Sequence, residues 1–168
     1  MHHKLIVSLI VMLFLTYGCA EPDKSSSDIQ SLRQQMTDVE RGRYVVEIMG
    51  CNDCHTPGYL VRRSNLPTED WLVGSTLGFS GYFGTTYPTN LRLSVSNMSE
   101  EDWLILAKKM REGTAMADVM LPETADQDLR AIYLFIKYLG PKGTPAPASL
   151  PKGVKPTTQY IDVPFRAH

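Results

Sequence analysis

Five residues organise this chain: Cys51-Asn52-Asp53-Cys54-His55. They follow the pattern C-x-x-C-H, which is typical of covalent attachment of a c-type haem. The spacing suits this chemistry, because two thiols close together can each form a thioether to one vinyl group of the same porphyrin. The histidine that follows directly can then lie under the ring and supply one axial ligand to the iron. The pattern therefore predicts one covalent haem c, bound through Cys51 and Cys54, with His55 on the iron.

Paired cysteines also occur in zinc sites and in redox dithiols. A cysteine-based zinc site needs a second pair of Cys or His ligands elsewhere in the chain. Here the only other cysteine is Cys19, and no histidine lies between His55 and His168. A redox dithiol has no need of a histidine directly after its second cysteine. The haem interpretation is therefore favoured over both.

Length and composition are those of one globular domain. The chain has 168 residues, which is enough for a hydrophobic core, with 43% hydrophobic and 21% charged residues. The formal net charge is -1. Since nucleic-acid-binding proteins usually carry a basic surface, no nucleic-acid partner is expected.

Residues 1–18 have the features of an export signal. A weakly basic start precedes an almost wholly apolar run over residues 5–15, which has the length of a signal-peptide core and is short for a membrane span. Gly18-Cys19 resembles the end of a bacterial lipobox, although Thr16 stands where such boxes usually carry Leu. The alternative is ordinary cleavage after Ala20. We favour lipidation of Cys19, because a single exported cysteine otherwise needs another explanation.

The export signal predicts the location and the domain order. Exported bacterial proteins reach the compartment where c-type haem is attached, so we expect a periplasmic protein anchored to a membrane through lipidated Cys19. Residues 19–37 are polar and rich in serine, which predicts a flexible tether. The haem domain follows at 38–140. The proline-rich tail at 141–168 is predicted to be extended, either strapped over the surface or loose.

Within residues 38–140, the apolar spacing predicts helices and one long loop. The first helix runs over about 38–49, and Gly42 inside its pattern predicts close approach of the last helix. Ser99 is the expected cap of a second helix. A capping box at Thr124 opens the last helix, which Gly140-Pro141 ends. Residues 56–90 lack periodicity and are expected to wrap the haem. The prediction is an all-α fold, with three to four helices around one covalent haem.

The second axial ligand is first sought by elimination. His55 is the only histidine of the mature chain apart from the terminal His168, so a second histidine ligand is disfavoured. Six of the eight methionines are explained by the export signal, the tether, the neighbourhood of Cys51 or a helix. Met116 and Met120 remain, both in the loop between the last two helices. Either of them can instead be a core residue that fills a gap, and elimination does not choose between them.

These features resemble the class I c-type cytochromes, which are small mono-haem electron carriers. The resemblance covers about Val39 to Pro151 and is closest to periplasmic cytochromes with Gly-Thr-x-Tyr and Pro-x-Asn-Leu segments, here at 84–87 and 88–91. In that family the axial Met usually precedes the Leu of an Asp-Leu-x-x-Ile segment by thirteen residues. The segment at 128–132 therefore places Met116 first and Met120 second, although the family's flanking prolines are absent. The resemblance also implies that a proline carbonyl, here that of Pro67, accepts a hydrogen bond from His55.

The resemblance implies electron transfer, not enzyme catalysis. An iron with His/Met ligands, which raise the potential, would shuttle electrons between a dehydrogenase or membrane donor and a respiratory acceptor such as a terminal oxidase or another cytochrome. A second hypothesis is a haem sensor or haem enzyme with an open or displaceable sixth site, which the missing prolines leave open. The lack of a distal histidine argues against peroxide chemistry. A third is the cytochrome subunit of a dehydrogenase complex.

Overall fold

The computed structural model describes residues 37–62, 65–109, 116 and 121–164. The predicted signal peptide, the lipidation site Cys19, the tether before Thr37 and the candidate ligand Met120 lie outside these ranges. The described residues belong to one compact unit that begins at Thr37.

Helices form the larger part of the regular structure. The described ranges contain six α-helices and one short 3-10 turn at Thr68–Asp70. The helices are α1 (Asp38–Ile48), α2 (Cys51–His55), α3 (Tyr59–Arg62), α4 (Leu91–Ser96), α5 (Glu100–Lys108) and α6 (Asp126–Leu139).

The prediction of an all-α fold with three to four helices is wrong. About 46% of the described chain is helical, and a three-stranded sheet accompanies the helices. Its strands are β1 (Gly78–Gly81), β2 (Gly84–Thr86) and β3 (Tyr160–Asp162), in the order β2-β1-β3. β1 and β2 form an antiparallel hairpin, and β3 pairs with β1 in parallel. Strands of three or four residues are too short to show an alternating pattern, and β3 joins from a distant part of the chain.

The core lies where α1 crosses α6. A Cβ atom on Gly42 would come within 2.7 Å of the Cβ of Phe135, and closer still to the carbonyl oxygen of Ala131. The two backbones therefore nearly touch, and the predicted packing of the last helix on Gly42 is confirmed. Large apolar side chains fill the space around this crossing; among those almost fully buried are Val45, Val46, Leu72, Val95, Leu129, Ile132, Phe135 and Ile136.

Two of the predicted helix ends are confirmed and one is wrong. Ser99 caps α5, because its Oγ accepts a hydrogen bond from the backbone N–H of Asp102 at 3.1 Å. α6 ends at Leu139, with Gly140 in the left-handed region at φ +68°. The capping box predicted at Thr124 does not form. α6 instead begins after Ala125, which has no side-chain oxygen to cap it.

Residues 141–164, here called the C-terminal strap, lie against the sheet. Leu150 exchanges two backbone hydrogen bonds with Thr85, at 2.9 and 2.8 Å. Farther along, the N–H of Val163 donates to the carbonyl of Ser80 at 2.7 Å. Of the two alternatives for the tail, the described part is strapped over the surface. No helix in the described ranges is long and apolar enough to span a bilayer.

Candidate haem site

A left-handed glycine turns the chain from α1 into the C-x-x-C-H stretch. Gly50 has φ +69°, a conformation that residues with a side chain rarely adopt, and α2 begins at the next residue. α2 is five residues long and contains the whole motif. Because residues three apart share one side of a helix, Cys51 and Cys54 lie on the same side of α2. Both are half-buried free thiols.

Burial keeps both sulfur atoms protonated. It raises the pKa of the Cys51 thiol to about 11. It also raises the pKa of Cys54, to which the nearby charge of Asp53 adds. The two groups are therefore thiols, not thiolates, at neutral pH.

The imidazole of His55 is held in one tautomer. It is 5% exposed, and its Nδ1 lies 2.7 Å from the carbonyl oxygen of Thr89. A carbonyl oxygen only accepts hydrogen bonds, so Nδ1 carries the proton and Nε2 keeps its lone pair. Nε2 has no hydrogen-bond partner among the described residues. Burial lowers the pKa of His55, against the opposing effect of the Thr89 bond, and so favours the neutral ring that binds metals.

The expected role of Pro67 is therefore wrong, because Thr89 supplies the carbonyl. Residues 72–74 hold the two segments together: the N–H of Gly74 donates to the carbonyl of His55 at 2.9 Å, and the N–H of Leu91 donates to the carbonyl of Leu72 at 3.0 Å. Leu72 is fully buried and has φ +63°, which costs about 1–2 kcal/mol in a residue with a side chain. The contacts around it outweigh this strain and bring the Thr89 carbonyl to His55.

One cavity of about 260 Å³, partly open to solvent, contains the predicted site residues. Both cysteines, His55 and Met116 line it, although Met116 follows His55 by 61 residues. Most of the remaining wall is apolar and comes from the sheet and from α1, α4, α5 and α6; it includes Val46, Phe79, Leu91, Trp103, Leu106 and Ile132. Ser149 of the C-terminal strap completes one side.

These residues fit a covalent haem c. Two thiols from one helical turn, an imidazole with a free Nε2 lone pair and a thioether share a mostly apolar cavity. A second cavity, of about 500 Å³, touches Gly50 but includes neither cysteine nor His55. Its wall carries charges of both signs, from Arg43, Glu47 and Asp53. We therefore place the candidate site in the smaller cavity.

In the described part of the chain, no three His, Cys, Asp or Glu side chains form a group able to hold a metal ion. Comparisons with protein-family models, curated proteins and solved structures found no match to this chain.

The sequence does not indicate that Thr89 and Ser149 belong to the site. Thr89 acts through its backbone carbonyl, which every residue possesses, so its side chain gives no signal. Ser149 lies in a proline-rich tail, where nothing in the sequence shows which residue faces a cavity.

Proposed function

We propose that this protein is an electron carrier with one covalently bound c-type haem, a mono-haem c-type cytochrome. The observation that carries the proposal is the shared cavity of Cys51, Cys54, His55 and Met116. A bound haem supplies a one-electron couple between ferric and ferrous iron. The cysteines would provide the two thioether positions, and Nε2 of His55 would provide a lone pair to the iron.

Met116 is the proposed second axial ligand. Met116 lines the cavity together with His55, and His/Met ligation raises the potential relative to harder ligands. The apolar walls limit access of water, a property by which surroundings tune a metal site. Two ligands retained in both oxidation states favour fast electron transfer, because little rearrangement is needed.

The proposed partners are redox proteins, such as a dehydrogenase, a terminal oxidase or another cytochrome. They would dock briefly over the open side of the cavity, in the small interfaces usual for such encounters. We further propose a periplasmic location with a lipid anchor at Cys19, on the basis of the predicted export signal in residues 1–18 and the lipobox-like Gly18-Cys19.

The test of haem attachment is expression in a host that matures c-type haem, followed by intact-protein mass spectrometry. We expect the mass of the mature chain plus one haem, which denaturation does not remove. Cys51→Ser and Cys54→Ser should each remove one thioether and shift the absorption band of the reduced protein. A full-length exported chain without the added mass would refute the proposal.

The second ligand is tested with two matched substitutions, Met116→Leu and Met120→Leu. We expect the weak red absorption band of the iron–methionine bond in the oxidised wild type and in Met120→Leu, and its loss in Met116→Leu. Loss only in Met120→Leu would transfer the role to that residue. A wild type without the band, whose reduced form binds carbon monoxide rapidly, would instead support a sensor or enzyme with an open sixth site.

A further inference from the structure

The C-terminal strap is tied to the residue that follows the carbonyl acceptor of His55. Asn90 is 1% exposed. Its Nδ2 donates to two carbonyls of the strap, that of Lys142 at 2.8 Å and that of Thr144 at 3.1 Å. Both amide hydrogens are therefore used on a segment more than 50 residues away.

Asn90 is equally constrained on its other side. Its Oδ1 accepts a hydrogen bond from the N–H of Leu93 at 3.1 Å and so caps α4. Its backbone packs against Gly74, where an added Cβ atom would lie 2.7 Å from the Asn90 nitrogen. The side chain thus joins the strap, α4 and the segment that holds the His55 carbonyl.

The peptide unit between Thr89 and Asn90 transmits this restraint to the imidazole. The Thr89 carbonyl and the Asn90 nitrogen belong to one planar group, so fixing Asn90 fixes the direction of that carbonyl. The same carbonyl accepts the proton of His55 Nδ1 at 2.7 Å. Partners of this kind orient a ligand histidine and raise its basicity.

We propose that Asn90 is a positioning residue through which the C-terminal strap sets the reduction potential of the haem iron. This inference rests on the proposed function. A well-aligned Nδ1–H···O=C bond makes the imidazole a stronger donor and favours ferric iron. Loosening the strap at Asn90 weakens that bond, and the potential rises.

Two substitutions break the link from opposite sides. Asn90→Ser keeps a good helix cap, but its side chain is too short to reach both strap carbonyls. Gly143→Ala keeps Asn90 and disturbs the strap. Gly143 lies between the two acceptor residues at φ +79°, and an added Cβ would come within 3.2 Å of Asn90 Nδ2.

Gly153→Ala is the matched control. Gly153 belongs to the same strap and has a similar φ of +87°, so alanine strains its backbone in the same way. No atom outside its immediate chain neighbours lies within 4 Å of the added Cβ. The substitution therefore strains the strap without touching Asn90.

The measurements are the midpoint potential of the full-length haem protein and the exchange rate of the His55 Nδ1 proton by NMR. For Asn90→Ser and Gly143→Ala we expect the ferric-to-ferrous equilibrium to shift about tenfold toward ferrous iron, equal to about 59 mV for one electron. The Nδ1 proton should also exchange faster. Gly153→Ala should match the wild type in both.

Three results overturn the inference. The first is a wild-type potential and exchange rate in Asn90→Ser. The second is a wild-type potential and exchange rate in Gly143→Ala. The third is a shift in Gly153→Ala as large as that in Gly143→Ala. If Asn90→Ser does not fold, the comparison of the two glycine variants decides. A wild type without covalent haem refutes the proposed function as well, and its mass shows this before any variant is compared.

Discussion

The crossing of α1 and α6 allows no side chain at Gly42. In the Gly42→Ala variant, the new Cβ would lie 2.7 Å from the Cβ of Phe135, whereas carbon atoms in contact are normally about 3.5–4.0 Å apart. The Ala131 carbonyl is closer still and belongs to the helix backbone, so it cannot rotate away. The two helices must therefore separate by roughly 1 Å, the difference between these distances.

The cost of this separation exceeds the benefit of alanine. A radial gap of about 0.5–1 Å forfeits a quarter to a half of the attraction between packed atoms, and it affects Val45, Val46 and Phe135 together. Overpacked cores typically lose about 1–3 kcal/mol, and a clash with backbone belongs at the upper end of that range. Alanine returns about 1 kcal/mol of helix propensity. We expect a net loss of about 2 kcal/mol in the free energy of unfolding.

Urea denaturation followed by circular dichroism measures this loss. The control is the neighbouring exposed position, where Arg43→Ala and Arg43→Gly compare the same two residues without a facing helix. There alanine should be the more stable by about 1 kcal/mol. If Gly42→Ala is as stable as the wild type or more stable, while Arg43→Ala is more stable than Arg43→Gly as expected, the proposed clash between α1 and α6 is refuted.

Substitutions at three further positions test individual contacts. The buried Thr56 hydroxyl donates to Asn52 Oδ1 at 2.7 Å and accepts from the N–H of Leu72 at 2.8 Å. Thr56→Val should therefore lose about 2–4 kcal/mol of unfolding free energy in urea. Thr56→Ser should keep most of that stability, and equal losses in the two variants would contradict this. Arg92 is buried and donates to three backbone carbonyls at the end of α6 and in the 3-10 turn. Arg92→Lys should lose about 2 kcal/mol of unfolding free energy, because an ammonium lacks the planar fork of donors, and unchanged stability would show that these hydrogen bonds do not stabilise the fold. The backbone N–H of Thr37 lowers the pKa of Glu40, so the Glu40 charge contributes stability above its unfolded pKa and loses that contribution as pH falls through the lower folded pKa. Glu40→Gln should accordingly be less stable than the wild type at pH 7 and converge with it in acid, and a pH-independent difference would exclude this origin.

The sequence predicts those features that local chemistry determines. C-x-x-C-H predicts the candidate site because its two cysteines and its histidine lie within one five-residue helix. Gly42 predicts the close crossing because a glycine in a helix interior needs a packing reason. Ser99 predicts the start of α5 because its hydroxyl acts on an N–H three residues away.

The missed features depend on contacts between distant segments. The antiparallel hairpin of β1 and β2 pairs Gly81 with Gly84. Because a glycine has no side chain, its position does not show which face of a strand is buried. β3 has three residues, all exposed, so it shows no apolar alternation. The capping pattern at Thr124 lies one residue too early, because the residue directly before α6 is Ala125.

Residues 56–90 show why an aperiodic stretch can still be tightly specified. Their backbone adopts left-handed conformations at Gly58, Leu72, Gly74 and Gly84, and at the last three the backbone itself contacts another segment. At Gly84, an added Cβ would clash with the carbonyl of Leu150 in the strap. Hydrophobic periodicity reports which side chains face a core, whereas these positions are fixed by backbones that approach each other closely. Because Leu72 and Gly74 also hold His55 to the Thr89 segment, the geometry of the candidate haem ligand depends on backbone contacts that a pattern of side chains does not encode.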